Sequence, residues 1–151
     1  MPTLFLMVGL PGAGKTTLAK QIEIERSAVR FTPDEWFAEL GLDPYDEALR
    51  ARIEALQWQL AARALSLGVD AILDFGLWAK EERDDYRDRA ASVGAETEIR
   101  FLDVSRDVLH ERLTKRNAEL PSGEFVVDLA DLDRWWRVFQ PPSGDELTGQ
   151  R

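Results

Sequence analysis

The stretch Gly9-Leu10-Pro11-Gly12-Ala13-Gly14-Lys15-Thr16, with Thr17 behind it, sets the terms on which the rest of the chain is read. It fits the pattern G-x-x-x-x-G-K-(S or T) without a gap. The apolar run Thr3-Leu4-Phe5-Leu6-Met7-Val8 precedes it and the helix-like Leu18-Ala19-Lys20-Gln21-Ile22 follows it, which is the strand-loop-helix setting a phosphate-binding loop requires. A triphosphate needs several backbone N–H groups turned inward together, so Gly9, Gly12 and Gly14 are read as allowing positive φ and close approach. The helix expected from about Gly14 to Arg26 leaves its first N–H groups free and adds its dipole. Lys15 supplies a mobile charge for the β- and γ-phosphates, the Thr16 hydroxyl suits Mg²⁺, and Thr17 reaches the α-phosphate. All nine residues, Gly9 to Thr17, are expected to hold the nucleotide.

Composition narrows the remaining possibilities. A chain of 151 residues makes one domain, large enough to bury about two-thirds of its unfolded surface. Hydrophobic residues at 44% and charged residues at 31% fit a globular protein, and no run has the length of a membrane span. Met1-Pro2-Thr3 carries no basic leader, so a cytoplasmic location is expected. Cysteine is absent, which excludes disulfides, thiolate metal sites and cysteine nucleophiles. A net charge of -9 argues against broad nucleic-acid binding.

Outward from the loop, the pattern is strand then helix. After β-like Ala28-Val29-Arg30-Phe31 comes Thr32-Pro33-Asp34-Glu35-Trp36, which reads either as a helix start with Thr32 and Glu35 as a capping box, or as an acidic residue at a strand's carboxyl end facing the ligand crevice. Asp43-Pro44-Tyr45-Asp46 opens a helix whose apolar stripe is expected at Leu49, Ile53, Leu56, Leu60, Ala64 and Leu67, with Gly68 ending it and Trp58 in packing. Val69-Asp70-Ala71-Ile72-Leu73-Asp74 is a hydrophobic strand ending in a carboxylate, the form of a second nucleotide-site motif, and Asp74 is expected to face Mg²⁺. Residues 75–78 are expected to loop over the crevice, and Trp36, Phe37 and Trp78 suggest an aromatic pocket wall. The helix from about Ala79 to Val93 is read as a solvated charged face, and residues 98–104 as a strand. A helix from about Arg106 to Asn117 carries Arg112 and Arg116 on one face, ahead of an irregular stretch, so a lid over about residues 112–127 is expected; His110 on the same helix is not read as catalytic. Asp128 caps a final helix bearing Trp135 and Trp136 on a core face, and the polar tail 143–151 is expected to be disordered.

These features resemble the bacterial P-loop kinase-like ATP-binding proteins related to polynucleotide kinase, chloramphenicol phosphotransferase and zeta-toxin kinases. The resemblance runs to about Pro142. It implies a three-layer α/β domain with a mostly parallel sheet, a general base at Asp34 and donor-phosphate contacts from Arg112 and Arg116. Where polynucleotide kinases carry Asn-Thr-Asn-like residues, this chain has Phe75-Gly76-Leu77, which argues against a nucleic-acid acceptor. The expected activity is ATP- and Mg²⁺-dependent phosphorylation of a small-molecule hydroxyl, with GTP as an alternative donor. A polynucleotide 5′-hydroxyl kinase and a nucleotide-dependent switch without an acceptor are the other two readings, and oligomeric state is open.

Overall fold

The computed structural model describes residues 1–119 and 126–148. The apolar run before the glycine-rich loop forms β1 (Thr3–Val8), and its burial is complete on both sides because it lies inside a four-stranded, all-parallel sheet of order β2-β3-β1-β4. The other strands are β2 (Val29–Phe31), β3 (Ala71–Gly76) and β4 (Glu96–Phe101). Side chains alternate across the sheet. Leu4, Leu6 and Val8 of β1 join Ala61, Leu65 and Ala90 in one core, while Phe5 and Met7 join Ala19, Ile22 and Ile72 in the other. The first layer comes from α3 (Glu47–Ser66) and α4 (Lys80–Ser92), the second from α1 (Lys15–Arg26). The chain is thus a three-layer α/β domain, as the strand-loop-helix pattern implies.

The remaining helices are α2 (Pro33–Leu40), α5 (Arg106–Glu119), α6 (Leu129–Val138) and α7 (Gly144–Leu147). A third apolar cluster, Leu10, Ala13, Leu109, Leu113, Val127 and Leu132, seats α5 and α6 on the outer side of the phosphate loop. That packing carries the arginines of α5 to the loop.

Several expectations are corrected. The buried row of α3 is Ile53, Gln57, Ala61 and Leu65, a strict four-residue ridge, whereas Leu56 and Leu67 are exposed. Four-residue spacing follows the ridge that packs on a sheet; the expected stripe mixed two neighbouring ridges. Helix α3 begins at Glu47, capped by Asp46, whose carboxylate accepts from Leu49 N, and Asp43 to Asp46 form a turn ahead of it. α4 is not simply a solvated face, since Arg83 and Arg87 are buried beneath it. The tail expected to be disordered contains α7, and Glu146 within it is buried.

Gln57 has no exposed surface, and neither side-chain amide atom has a hydrogen-bond partner among the described residues. Burying an unsatisfied amide costs free energy that an apolar side chain of similar size avoids. Gln57→Leu is therefore expected to stabilise the protein by about 1 kcal/mol and raise Tm by about 3 °C, read by thermal unfolding.

Candidate active site

The phosphate loop is shaped by two close approaches. Gly12 has φ 89°, where a side chain is strained, and a Cβ there would stand 3.1 Å from Leu113 Cγ of α5, closer than ordinary contact, so the loop packs tightly under that helix. Gly76 at the end of β3 has φ 88°, and its carbonyl accepts from Gly9 N at 3.1 Å. Gly9 itself has no positive φ; a Cβ there would meet Ala13 Cβ at 3.2 Å, so its role is close approach rather than backbone freedom. Gly14, with φ 96°, is the N-cap of α1, which starts at Lys15. The first turn of α1 therefore presents amides that no helical carbonyl can satisfy.

A cavity of about 510 Å³ opens over this loop. Pro11, Gly12, Gly14, Lys15, Thr16 and Thr17 line it, together with Asp34, Asp74, Arg112 and Arg116. Every sequence-predicted catalytic and metal-binding residue therefore reaches one cavity. Gly9, Leu10 and Ala13 do not line it. Leu10 and Ala13 are buried against α5, and all three border a second hollow behind the loop.

Asp74 is the centre of the site. Thr16 Oγ1 donates to its Oδ2 at 2.7 Å and Thr32 Oγ1 donates to the same oxygen at 3.0 Å, while Arg30 donates to Thr32 Oγ1 at 2.6 Å. Thr32 stands at the N-cap position of α2 but spends its hydroxyl on Asp74, and Glu35 pairs with Arg30 at 3.0 Å, so the expected capping box is absent. Asp74 lies inside β3 rather than at its end. The strand continues to Gly76, and three residue steps from Leu73 to Gly76 face two from Leu6 to Val8 of β1. Such an irregularity re-aims a side chain, here the carboxylate.

The geometry fits a divalent cation on one point of chemistry. Asp74 is buried, and its Oδ1 has no hydrogen-bond partner among the described residues. A buried carboxylate oxygen needs a compensating group, which Mg²⁺ or its bound water supplies. No cluster of three or more His, Cys, Asp or Glu capable of holding a metal occurs among the described residues. A cation here would therefore draw further ligands from Thr16, phosphate oxygens and water.

Asp34 projects from the first turn of α2 with its side chain about 43% exposed, and its Oδ1 accepts from Arg50 Nη2 at 2.8 Å. Arg50 also donates to Pro44 O at 3.2 Å and lies 4.8 Å from the centre of the Phe37 ring. Sequence reasoning missed Arg50. It sits on α3, sixteen residues from Asp34, and no spacing rule links the two. The aromatic wall also differs from expectation: Tyr45, Phe75, Trp78 and Trp135 line the cavity, whereas Trp36 packs on the core and Phe37 is buried under Arg50. Trp58 packs against Tyr86, as the sequence suggests.

Arg112 Nη1 donates to the carbonyls of Gly12 and Ala13 at 3.4 and 3.3 Å, placing its guanidinium against the phosphate loop. Asn117 exchanges two hydrogen bonds with Val127, at 2.7 and 3.0 Å, and Tyr45 donates to Val126 O at 3.0 Å. Most of the irregular stretch read as the moving part of the lid, residues 120–125, lies outside the described residues. His110 is held by Asp133 at 2.7 Å and does not line the cavity; that contact, with Arg106, keeps the Asp133 carboxyl below the usual range.

A family model described as an AAA domain matches residues 4–142. Solved structures agree on the fold. A candidate kinase from Chloroflexus aurantiacus is 22% identical with a TM-score of 0.75, the match covering 94% of this chain and 82% of that one. The Pnkp1/Rnl/Hen1 RNA repair complex contains a chain 22% identical with a TM-score of 0.77, covering 91% of this chain and 43% of that one. A gluconokinase from Sinorhizobium meliloti 1021 is 18% identical with a TM-score of 0.67, over 95% and 78%. No curated protein matches the chain.

One turn beyond Arg50 on α3, burial pushes the Glu54 carboxyl up to about 7, with Arg50 opposing and Glu82 and Asp34 adding to the rise. A group whose pKa is raised on folding favours the native state below its unfolded pKa, and that contribution is lost as pH rises through the folded value. Glu54→Gln is expected to match the parent near pH 4 and to exceed it above pH 7 by roughly 3 kcal/mol at most, read from urea unfolding across pH.

Proposed function

The chain belongs to the AAA domain family, and we propose that within it the protein is an ATP- and Mg²⁺-dependent phosphotransferase acting on a hydroxyl of a small molecule. The observation that carries this reading is the single cavity onto which the phosphate loop, Asp74, Asp34 and both α5 arginines open. A half-exposed second carboxylate lining the same cavity as the loop supports an acceptor site more than nucleotide binding alone.

In this reading the loop amides and Lys15 hold the donor phosphates, and Thr16 and Asp74 hold the metal, which when bound neutralises phosphate charge. Lys15 Nζ rests on Leu10 O at 3.2 Å, a weak contact it can exchange for a phosphate oxygen. Asp34 accepts the proton of the acceptor hydroxyl through its Oδ2, while Arg50 fixes the carboxylate by its Oδ1. Arg112 and Arg116 stabilise charge that develops on the transferred group. Tyr45, Phe75, Trp78 and Trp135 surround the acceptor and exclude water, which would otherwise compete for the phosphoryl group.

The acceptor half of the cavity also bears on the substrate class. Around Asp34 the lining adds the acids Glu35 and Glu47, and Arg50 is already engaged by Asp34, which disfavours holding a phosphodiester backbone there. A small molecule fits better than a nucleic-acid end, and a small metabolite is the proposed partner; no described helix is long and apolar enough to cross a membrane.

The test is ATP consumption against pooled metabolites, with Asp34→Asn and Lys15→Ala alongside. Asp34→Asn is expected to lower kcat by about 10² to 10⁴ while ATP affinity stays within about twofold. Lys15→Ala is expected to lose ATP binding. Equal loss of turnover and ATP affinity in Asp34→Asn would remove the base assignment, and phosphorylation of an oligonucleotide 5′ end with steep salt dependence would replace the small-molecule reading.

A further inference from the structure

Arg83 of α4 is the largest fully buried side chain among the described residues, and the proposed reaction leaves it unused. Its guanidinium faces Glu146 of α7, with Nε 3.0 Å from Oε1 and Nη2 3.4 Å from Oε2; both side chains have no exposure. Its third nitrogen, Nη1, donates to Leu77 O at 2.9 Å, and Glu146 Oε2 also accepts from Ser143 N at 2.7 Å. Two further bonds join the same two segments: Gln140 N donates to Trp78 O at 2.9 Å and Lys80 N donates to Gln140 Oε1 at 3.0 Å.

Three of these bonds, Arg83 to Leu77 O, Gln140 N to Trp78 O and Lys80 N to Gln140 Oε1, fall on the turn between β3 and α4, and the Arg83–Glu146 pair ties the tail to them. That turn is strained, because Leu77 has φ 44°, in the left-handed region that a leucine rarely adopts. Such a conformation persists only where the surroundings over-determine it. The next residue, Trp78, lines the cavity beside Trp135, their rings 5.5 Å apart. A buried ion pair is also a poor device for stability alone, since an apolar pair of similar volume often does as well. What an apolar pair cannot do is hold a carbonyl at a fixed place.

We propose that Arg83 and Glu146 are positioning residues for the acceptor side of the cavity: the segment from Gln140 to Leu147 is a strap whose buried ion pair holds the Leu77-Trp78 turn and thereby sets the indole wall. The proposal rests on the reading of the cavity as a phosphotransfer site for its functional meaning. The strap's own bonds fall on Leu77, Trp78 and Lys80, past the Gly76 carbonyl that receives Gly9 N of the phosphate loop.

The test compares the full-length protein with Glu146→Gln and with the double replacement Arg83→Met, Glu146→Leu. Hydrogen exchange at residues 77–80 and in β1, Tm, binding of a fluorescent ATP analogue with Mg²⁺, and KM and kcat for any acceptor found are measured together. Exchange at residues 77–80 is expected to speed by about tenfold or more in both variants, with β1 unchanged. Nucleotide affinity is expected to stay within about twofold, and acceptor KM to rise while ATP KM holds. The double replacement is expected to approach the parent Tm without recovering protection at the turn. Parental protection at residues 77–80 in either folded variant, or equal loosening of β1, would overturn the strap. Exchange needs no acceptor and no catalysis, so the strap can fail while the phosphotransfer reading stands. Conversely, parent protein that binds no nucleotide strikes that reading and leaves the exchange result intact.

Discussion

A buried carboxylate that must be compensated governs this molecule. Asp74 sits in the sheet with one oxygen taken by two hydroxyls and the other without a partner among the described residues. The two hydroxyls come from different places, Thr16 at the start of α1 and Thr32 at the end of β2, so a single oxygen ties the phosphate loop to the edge strand through the strand between them. Anion, hydroxyl donors and helix N-terminus lie together, and Asp74 with Thr16 would hold a divalent cation that offsets the buried charge.

Strand order makes this possible. β1 and β3 are neighbours and parallel, so the loop after one and the carboxylate near the end of the other emerge on the same edge of the sheet. β2 on the far side of β3 delivers Thr32 and then Asp34 to that edge, and α5, seated on Leu10 and Ala13 by Leu109 and Leu113, brings the arginines over it. The Cβ-free positions at Gly12 and Gly76 are where this convergence is tightest. Apolar packing at the back of the loop thus positions polar chemistry at its front.

The two halves of the cavity are held differently. The phosphate side rests on backbone geometry and a central strand, the stiffest parts of an α/β domain. The rest of the lining, the proposed acceptor side, is assembled from side chains on α2, α3, the β3–α4 turn and α6, joined by polar contacts such as Asp34 with Arg50 and Tyr45 with Val126. Under the proposed function, the chemistry common to phosphoryl transfer belongs on the first half. Selectivity belongs on the second, where single side chains can change without disturbing the sheet.

Local sequence determined what depends on neighbours along the chain. The glycine spacing of the loop, the largely apolar β1, the acid in β3, the α1 boundaries and the placing of Asp34 in the first turn of α2 could be read directly, because strand and helix periodicity and loop chemistry are properties of short segments. Only the tertiary structure decided what depends on partners far away. It selected the Ile53-Gln57-Ala61-Leu65 ridge of α3, paired Arg50 with Asp34, turned the Thr32 hydroxyl from its helix to Asp74, and buried Arg83 with Glu146 across sixty-three positions. A charged residue reads as solvated until a counter-charge meets it, and where that counter-charge lies is fixed by the packing of whole elements, which no short segment encodes.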